Sequence, residues 1–179
     1  RKKLEPRYWL HLGLGPIATI LQTIGWMIFA VGGVTGLMTS IPNNRKIKIF
    51  DTTVFIDYLR GRKEVVPLIQ AVLDRRVNPA ISIITVVELW AGVKDTKDEK
   101  RHKALLLPFR RIQIHSAIAY RAGALAYSFY KNGDKSISLP DFIIAATAEY
   151  LNADIVTRNG KHFQKIPLKN AGLVLYDCQ

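Results

Sequence analysis

The chain has 179 residues, 49% of them hydrophobic, which excludes general disorder and suits one domain with a sizeable core plus an appendage. Its 26 Lys and Arg against 14 Asp and Glu give a formal charge of +12, a field that attracts polyanions such as RNA, DNA or an anionic membrane face. The single cysteine, Cys178, excludes an intrachain disulfide and a thiolate metal cluster, and it fits a reducing cytosol, so a cytoplasmic location is expected.

Residues 1–45 differ from everything after them. Arg1, Lys2, Lys3 and Arg7 precede a stretch from Tyr8 to Asn44 without Asp, Glu, Lys or Arg, and its apolar interior is long enough to span a bilayer. Basic residues flank both ends (Arg45, Lys46 and Lys48 follow), so the charge rule assigns no orientation. Two readings stand side by side. The segment is a membrane anchor, in which case the protein is membrane-anchored, or residues 1–37 are a non-native extension and the working domain begins near Met38. Removing residues 1–37 takes away four basic residues and one acidic residue, so the +12 falls only to +9. The basic field therefore belongs to the second domain, residues 46–179.

That domain opens with IKIF, a short strand that ends in Asp51. TTVFIDYLRG follows as a helix, with Val54, Phe55, Tyr58 and Leu59 at helical spacing and Gly61 ending the run. EVVPLIQAVLDRR is a second amphipathic helix, and PAISIITVVELWAGVK reads as a buried strand leading into a third. Thr85 and Glu88 have the spacing of a capping box, which predicts Glu88 in the first turn of that helix. KDTKDEKRHK opens another helix, with Thr96 and Glu99 at the same spacing. RRIQIHS is a strand, and AIAYRAGALAYSFYKNG a long helix stopped by Asn132 and Gly133. SLPDFIIAATAEYLNA is a helix with Ser138 at its cap, ADIVTRN a strand, NGKHF a turn and LVLYD the last strand. This alternation predicts an α/β fold with a mostly parallel central sheet.

Three acids share one position in this pattern: Asp51, Glu88 and Asp141 each stand at a junction into a helix. In a parallel sheet such junctions lie on one side, so residues far apart in sequence can converge in one crevice. Three buried carboxylates without a cation are costly, and a hard divalent metal resolves the cost. The competing reading makes all three ordinary helix-start acids favoured by the macrodipole, and Thr96 with Glu99 serves as its internal control. Asp57, on the helix that follows Asp51, reads as a solvated acid or as a partner to the site. Arg158 and Lys161 suit phosphate binding. His162 is read as a phosphate or metal contact or as a surface histidine. Phe55, Tyr58 and Trp90 are expected in the core or facing a partner. Thr53 stands where a haloacid-dehalogenase-type phosphatase needs a second Asp, and the chain has no P-loop.

DTTVFID, SIITVVELWAG, LPDFIIAATA and IVTRNGKHF resemble, in order, the motifs of PIN domains, and in particular the VapC-type ribonuclease toxins of bacterial and archaeal toxin–antitoxin pairs. The resemblance covers roughly residues 46–179. It implies an α/β/α sandwich, Mg²⁺- or Mn²⁺-dependent cleavage of RNA, a homodimer, and inhibition by a cognate VapB-like antitoxin. It also implies that Asp51, Glu88 and Asp141 are the catalytic, metal-binding carboxylates. Thr52, Asp57, Thr157 and Asn159 are then their supporting neighbours, and Arg158, Lys161 and His162 contact RNA. The chain departs from the pattern in TRNGKHF, where many members carry a fourth acid and this sequence has none. Asp154 lies at the start of its strand, so one metal or two is left open. The alternative is a catalytically weak PIN domain that binds nucleic acid or acts as a membrane-tethered scaffold. A degenerate site should first lose Asp51, Glu88 or Asp141, and all three are present.

Overall fold

The computed structural model describes residues 45–176. The expected anchor or extension over residues 1–45 falls outside the described residues apart from Arg45, as does Cys178. Among the described residues no helix is long and apolar enough to cross a membrane. The chain divides into two units, one of which contributes Lys94–Leu107 to the described residues, and the other residues 45–93 and 108–176.

The larger unit is built on a five-stranded, all-parallel sheet. Its strands are β1 (Ile47–Phe50), β2 (Asn78–Ser82), β3 (Arg110–Ile112), β4 (Asp154–Thr157) and β5 (Leu173–Leu175), in the spatial order β3-β2-β1-β4-β5. The first strand in sequence is thus central, and the order reverses beside it, between β1 and β4. Open α/β sheets place their ligand crevice at such a switch point, beyond the carboxyl ends of the strands.

Helices α1 (Thr52–Leu59), α2 (Val66–Leu73), α3 (Ile83–Ala91), α5 (Ser116–Tyr130), α6 (Leu139–Tyr150) and α7 (Gly160–Phe163) belong to the same unit. Successive strand residues point to opposite faces, and both faces are covered. Ile49, Ala80 and Ile155 join one cluster with Ile118, Leu125, Phe142 and Ala145 from α5 and α6, while Phe50 turns the other way, edge-on to Phe109, which in turn meets Phe55 of α1. This is the expected sandwich. Ala145, Ala146 and Ala148 bring α6 close to the sheet, since small side chains shorten the distance between packed elements.

In the smaller unit α4 (Thr96–Leu106) is capped by Asp95, whose side chain accepts the Asp98 N–H. The control pair expected there, Thr96 and Glu99, is therefore not a capping box; Glu99 pairs with Lys103 one turn on. The box expected at Thr85 and Glu88 is also absent. Helix α3 starts three residues earlier, with Ser82 rather than Thr85 at its N-cap, so Glu88 sits in the second turn. The run ISIITVV offers two cap candidates, Ser82 and Thr85, and the boundary falls at Ser82, which takes the N-cap position without a side-chain cap bond. NGKHF, expected as a turn, contains the one-turn helix α7. Phe55 is fully buried and cannot face a partner, whereas Trp90 stays partly exposed.

Candidate active site

Asp51 continues β1 by one residue, donating its N–H to Val156 O of the neighbouring β4 at 3.0 Å, and then occupies the N-cap position of α1. It makes no capping bond. Its Oδ2 instead accepts hydroxyls from Thr157 at 2.6 Å and Thr53 at 2.7 Å, with the carboxylate 3% exposed. Thr157 closes β4 and is buried, because the register that sets Phe50 beside Val156 brings the two strand ends together. The next hydroxyl, on Thr52, donates to Glu88 Oε2 at 2.5 Å and so links the start of α1 to half-buried Glu88 on α3.

Asp141 is reached from the other side. Ser138 and Asp141 form a reciprocal capping box at the start of α6: Asp141 Oδ2 accepts the Ser138 N–H at 3.1 Å and its hydroxyl at 2.8 Å, and the Asp141 N–H faces Ser138 Oγ. The same Oδ2 lies 3.0 Å from His162 Nδ1, which also meets the Asn159 side-chain nitrogen at 2.6 Å. The Asn159 N–H donates to Thr157 Oγ1 at 2.8 Å, so one turn after β4 touches both Asp51's partner and Asp141's partner.

These acids feel one another. Burial pushes the Asp51 carboxyl above the ordinary carboxylate range; the Thr157 and Thr53 hydroxyls oppose that shift and the charge of Asp141 adds to it. Burial also raises Glu88, against the hydrogen bond from Thr52, and the charges of Asp51 and Asp141 raise it further. As the side chains stand, no three His, Cys, Asp or Glu among the described residues are gathered closely enough to ligate a metal ion. The donor set nonetheless fits a hard dication: three carboxylates at one end of the sheet, each within the field of another, with hydroxyl neighbours that can release them.

Asp57 departs from the reading of a solvated acid. It is fully buried, paired with Arg158 Nε at 2.8 Å and with Arg62 Nε 3.7 Å away, and it accepts the Tyr176 hydroxyl at 3.1 Å. Arg158 is 39% exposed, and Lys161 is exposed on α7. Asp154, at the start of β4, accepts from Lys46 at 2.5 Å and from the Gly172 N–H, and it lies at the opposite end of the strand from Thr157. Sequence patterning does not place Thr53 beside Asp51 or Tyr176 beside Asp57. For Thr53 a signal existed in the triplet Asp51-Thr52-Thr53, two hydroxyls directly after a strand-end acid; for Tyr176 there was none.

The family model of the PIN domain matches residues 48–169. Ribonuclease VapC19 of Mycobacterium tuberculosis is 32% identical over 124 residues, which cover 68% of this chain and 95% of the relative. Ribonuclease VapC1 of Methanocaldococcus jannaschii is 33% identical over 129 residues, 72% of this chain and 86% of the relative. Among solved structures, a toxin–antitoxin complex from Klebsiella pneumoniae contains a chain 36% identical, with a TM-score of 0.56, covering 71% of this chain and 95% of that one. VapBC2 from Rickettsia felis, solved bound to a DNA fragment from its promoter, matches at 27% identity and a TM-score of 0.61, over 73% of this chain and 99% of its own.

Proposed function

Since the chain belongs to the PIN-domain family, we propose that it is a divalent-metal-dependent endoribonuclease and the toxin of a VapBC-type toxin–antitoxin pair. The observation that carries this reading is geometric: adjacent Thr52 and Thr53 bond Glu88 and Asp51, and the turn Thr157-Arg158-Asn159 joins Asp51 to His162 and Asp141, so three acids far apart in sequence share one end of the sheet. Asp51, Glu88 and Asp141 would hold Mg²⁺ or Mn²⁺, whose Lewis acidity would acidify an attacking water and offset the charge building on the phosphoryl oxygens. The chain's own contribution is to hold each acid at the same end of the sheet. Thr53 and Thr157 hold Asp51, Thr52 holds Glu88 and Ser138 holds Asp141, and a bound cation would draw the three carboxylates together from these positions. His162 and exposed Lys161 stand on the rim, where a phosphate of bound RNA would meet them.

The solved relatives are toxin–antitoxin complexes, which supports a VapB-like antitoxin as partner; a homodimer and a cytoplasmic location belong to the same proposal. The scaffold alternative gains no observation. The test is RNA cleavage with Mg²⁺ or Mn²⁺ and with EDTA. Cleavage should require the metal and disappear in Asp51→Asn, and full activity in EDTA would sink the mechanism.

A further inference from the structure

Asp57 is the most deeply buried acid described, and the proposed chemistry does not use it. A carboxylate taken fully out of water is costly unless it is paired in good geometry. Asp57 meets this requirement with groups from three places: Arg158 after β4, Tyr176 after β5, and Arg62, whose N–H also donates to the Asp57 carbonyl. The pairing therefore determines where Arg158 sits. Arg158 is enclosed by the site on both sides. Thr157 before it holds Asp51 Oδ2, and Asn159 after it bonds Thr157 through its N–H and meets His162 through its side chain. The Arg158 N–H itself points to Thr53 Oγ1 at 3.4 Å, the second hydroxyl on Asp51.

We propose that Asp57 and Arg158 are positioning residues: their ion pair clamps the turn Thr157-Arg158-Asn159 onto α1, the helix that begins at Asp51, and so keeps Asp51 and the Asn159–His162–Asp141 contacts in place. The Arg158 guanidinium is engaged by Asp57 and does not serve as an RNA phosphate contact. This rests on the nuclease reading above.

The experiment compares Asp57→Asn, Arg158→Gln, Arg158→Lys and the double variant Asp57→Asn/Arg158→Gln in the full chain. RNA cleavage is measured at saturating Mg²⁺, and RNA binding across a salt series in EDTA. The expected result is that kcat falls on the order of ten- to a hundredfold in Asp57→Asn and Arg158→Gln, as small misplacements of reacting groups do. KM and the salt slope should stay where they were, the double variant should be no worse than the poorer single one, and Arg158→Lys should recover part of the loss. A KM rise and a slope shallower by about 0.7 in Arg158→Gln, with Asp57→Asn unaffected, would mean a phosphate contact and overturn the clamp. Lower melting temperatures with unchanged kcat in the folded protein would reduce the pair to a structural role and overturn it too. Amide hydrogen exchange reads the turn without any cleavage. Faster exchange at Arg158 and Asn159 in Asp57→Asn, with β1 still protected, supports the clamp, and unchanged exchange there refutes it. If the wild-type chain fails to cleave RNA, the nuclease reading falls, and hydrogen exchange still decides whether the clamp exists.

Discussion

Asp51 occupies the N-cap position of α1, where a carboxylate ordinarily accepts a backbone N–H, yet its Oδ2 takes hydroxyls from Thr53 and Thr157. Asp141, by contrast, completes a true capping box while facing His162. The two acids should therefore respond differently to amide substitution. In metal-free protein Asp51→Asn removes a buried charge held near Asp141 and should leave stability unchanged or raise it, whereas Asp141→Asn should cost a few tenths to about 1 kcal/mol of helix-start interaction. Glu99→Gln, which touches only the exposed pair with Lys103, should stay within about 0.5 kcal/mol and keep full activity. The pH dependence follows from the same shifts. Asp51 and Glu88, both raised mainly by burial, bind protons in the folded state at pH values where the unfolded chain has released them. Their stabilisation is complete below the ordinary carboxylate range and is lost as pH rises through the raised values. Thermal melts in EDTA should thus improve on acidification from neutral toward that range, and Asp51→Asn should flatten the trend. Glu149 acts in the opposite sense. Burial alone would raise it, but the Arg121 side chain and the Lys169 N–H outweigh that and pull it down, so its contribution is lost only as pH falls through its lowered value. A melting temperature that rises steadily with pH across the whole range would contradict the assignment.

At the scale of elements, each helix start beside the site has its own relation to the acids. Helix α6 delivers Asp141 through its cap, α1 delivers Asp51 by following directly on β1, and α3 presents Glu88 from its second turn. If Asp141 serves the proposed nuclease site, the cap of α6 has both a structural and a functional part. Ser138→Ala should lower stability by about 1 kcal/mol through the lost cap, and it should also slow cleavage, because Asp141 loses the hydroxyl that sets its direction. Ser138→Thr, which keeps a hydroxyl at the cap, should restore both. A melting temperature that drops while kcat holds would mean that His162 alone orients Asp141. The reading of Glu88 as a cap failed at this scale. A Thr-x-x-Glu spacing inside an apolar run carries no information about where the strand gives way to the helix, and that boundary lay at Ser82.

For the molecule as a whole, the charge of +12 is carried mainly by the PIN-like part, since only three net positive charges fall in residues 1–37. RNA binding should accordingly weaken steeply with salt, by about 0.7 log units per phosphate contact for each tenfold rise. The family match covers residues 48–169. A chain beginning at Met38 should therefore cleave RNA in the presence of Mg²⁺ or Mn²⁺ with a salt slope close to that of the full chain. Loss of cleavage in a folded chain of that length would assign residues 1–37 a part in the activity.

The sequence by itself determined the alternation of strands and helices, the parallel sheet, and the placement of Asp51 at the end of the first strand, because apolar periodicity and helix punctuation are local signals. It also carried the ordered motifs by which the family could be recognised. Only the tertiary structure decided what covers each polar residue. The period of α1 says which face Asp57 occupies but not that Arg158 and Tyr176, the latter 119 residues away, close over that face. In the same way Thr157 and His162 reach Asp51 and Asp141 only after β4 has paired with β1. Burial of a charge depends on partners brought by chain segments distant in sequence, and no local pattern encodes their arrival.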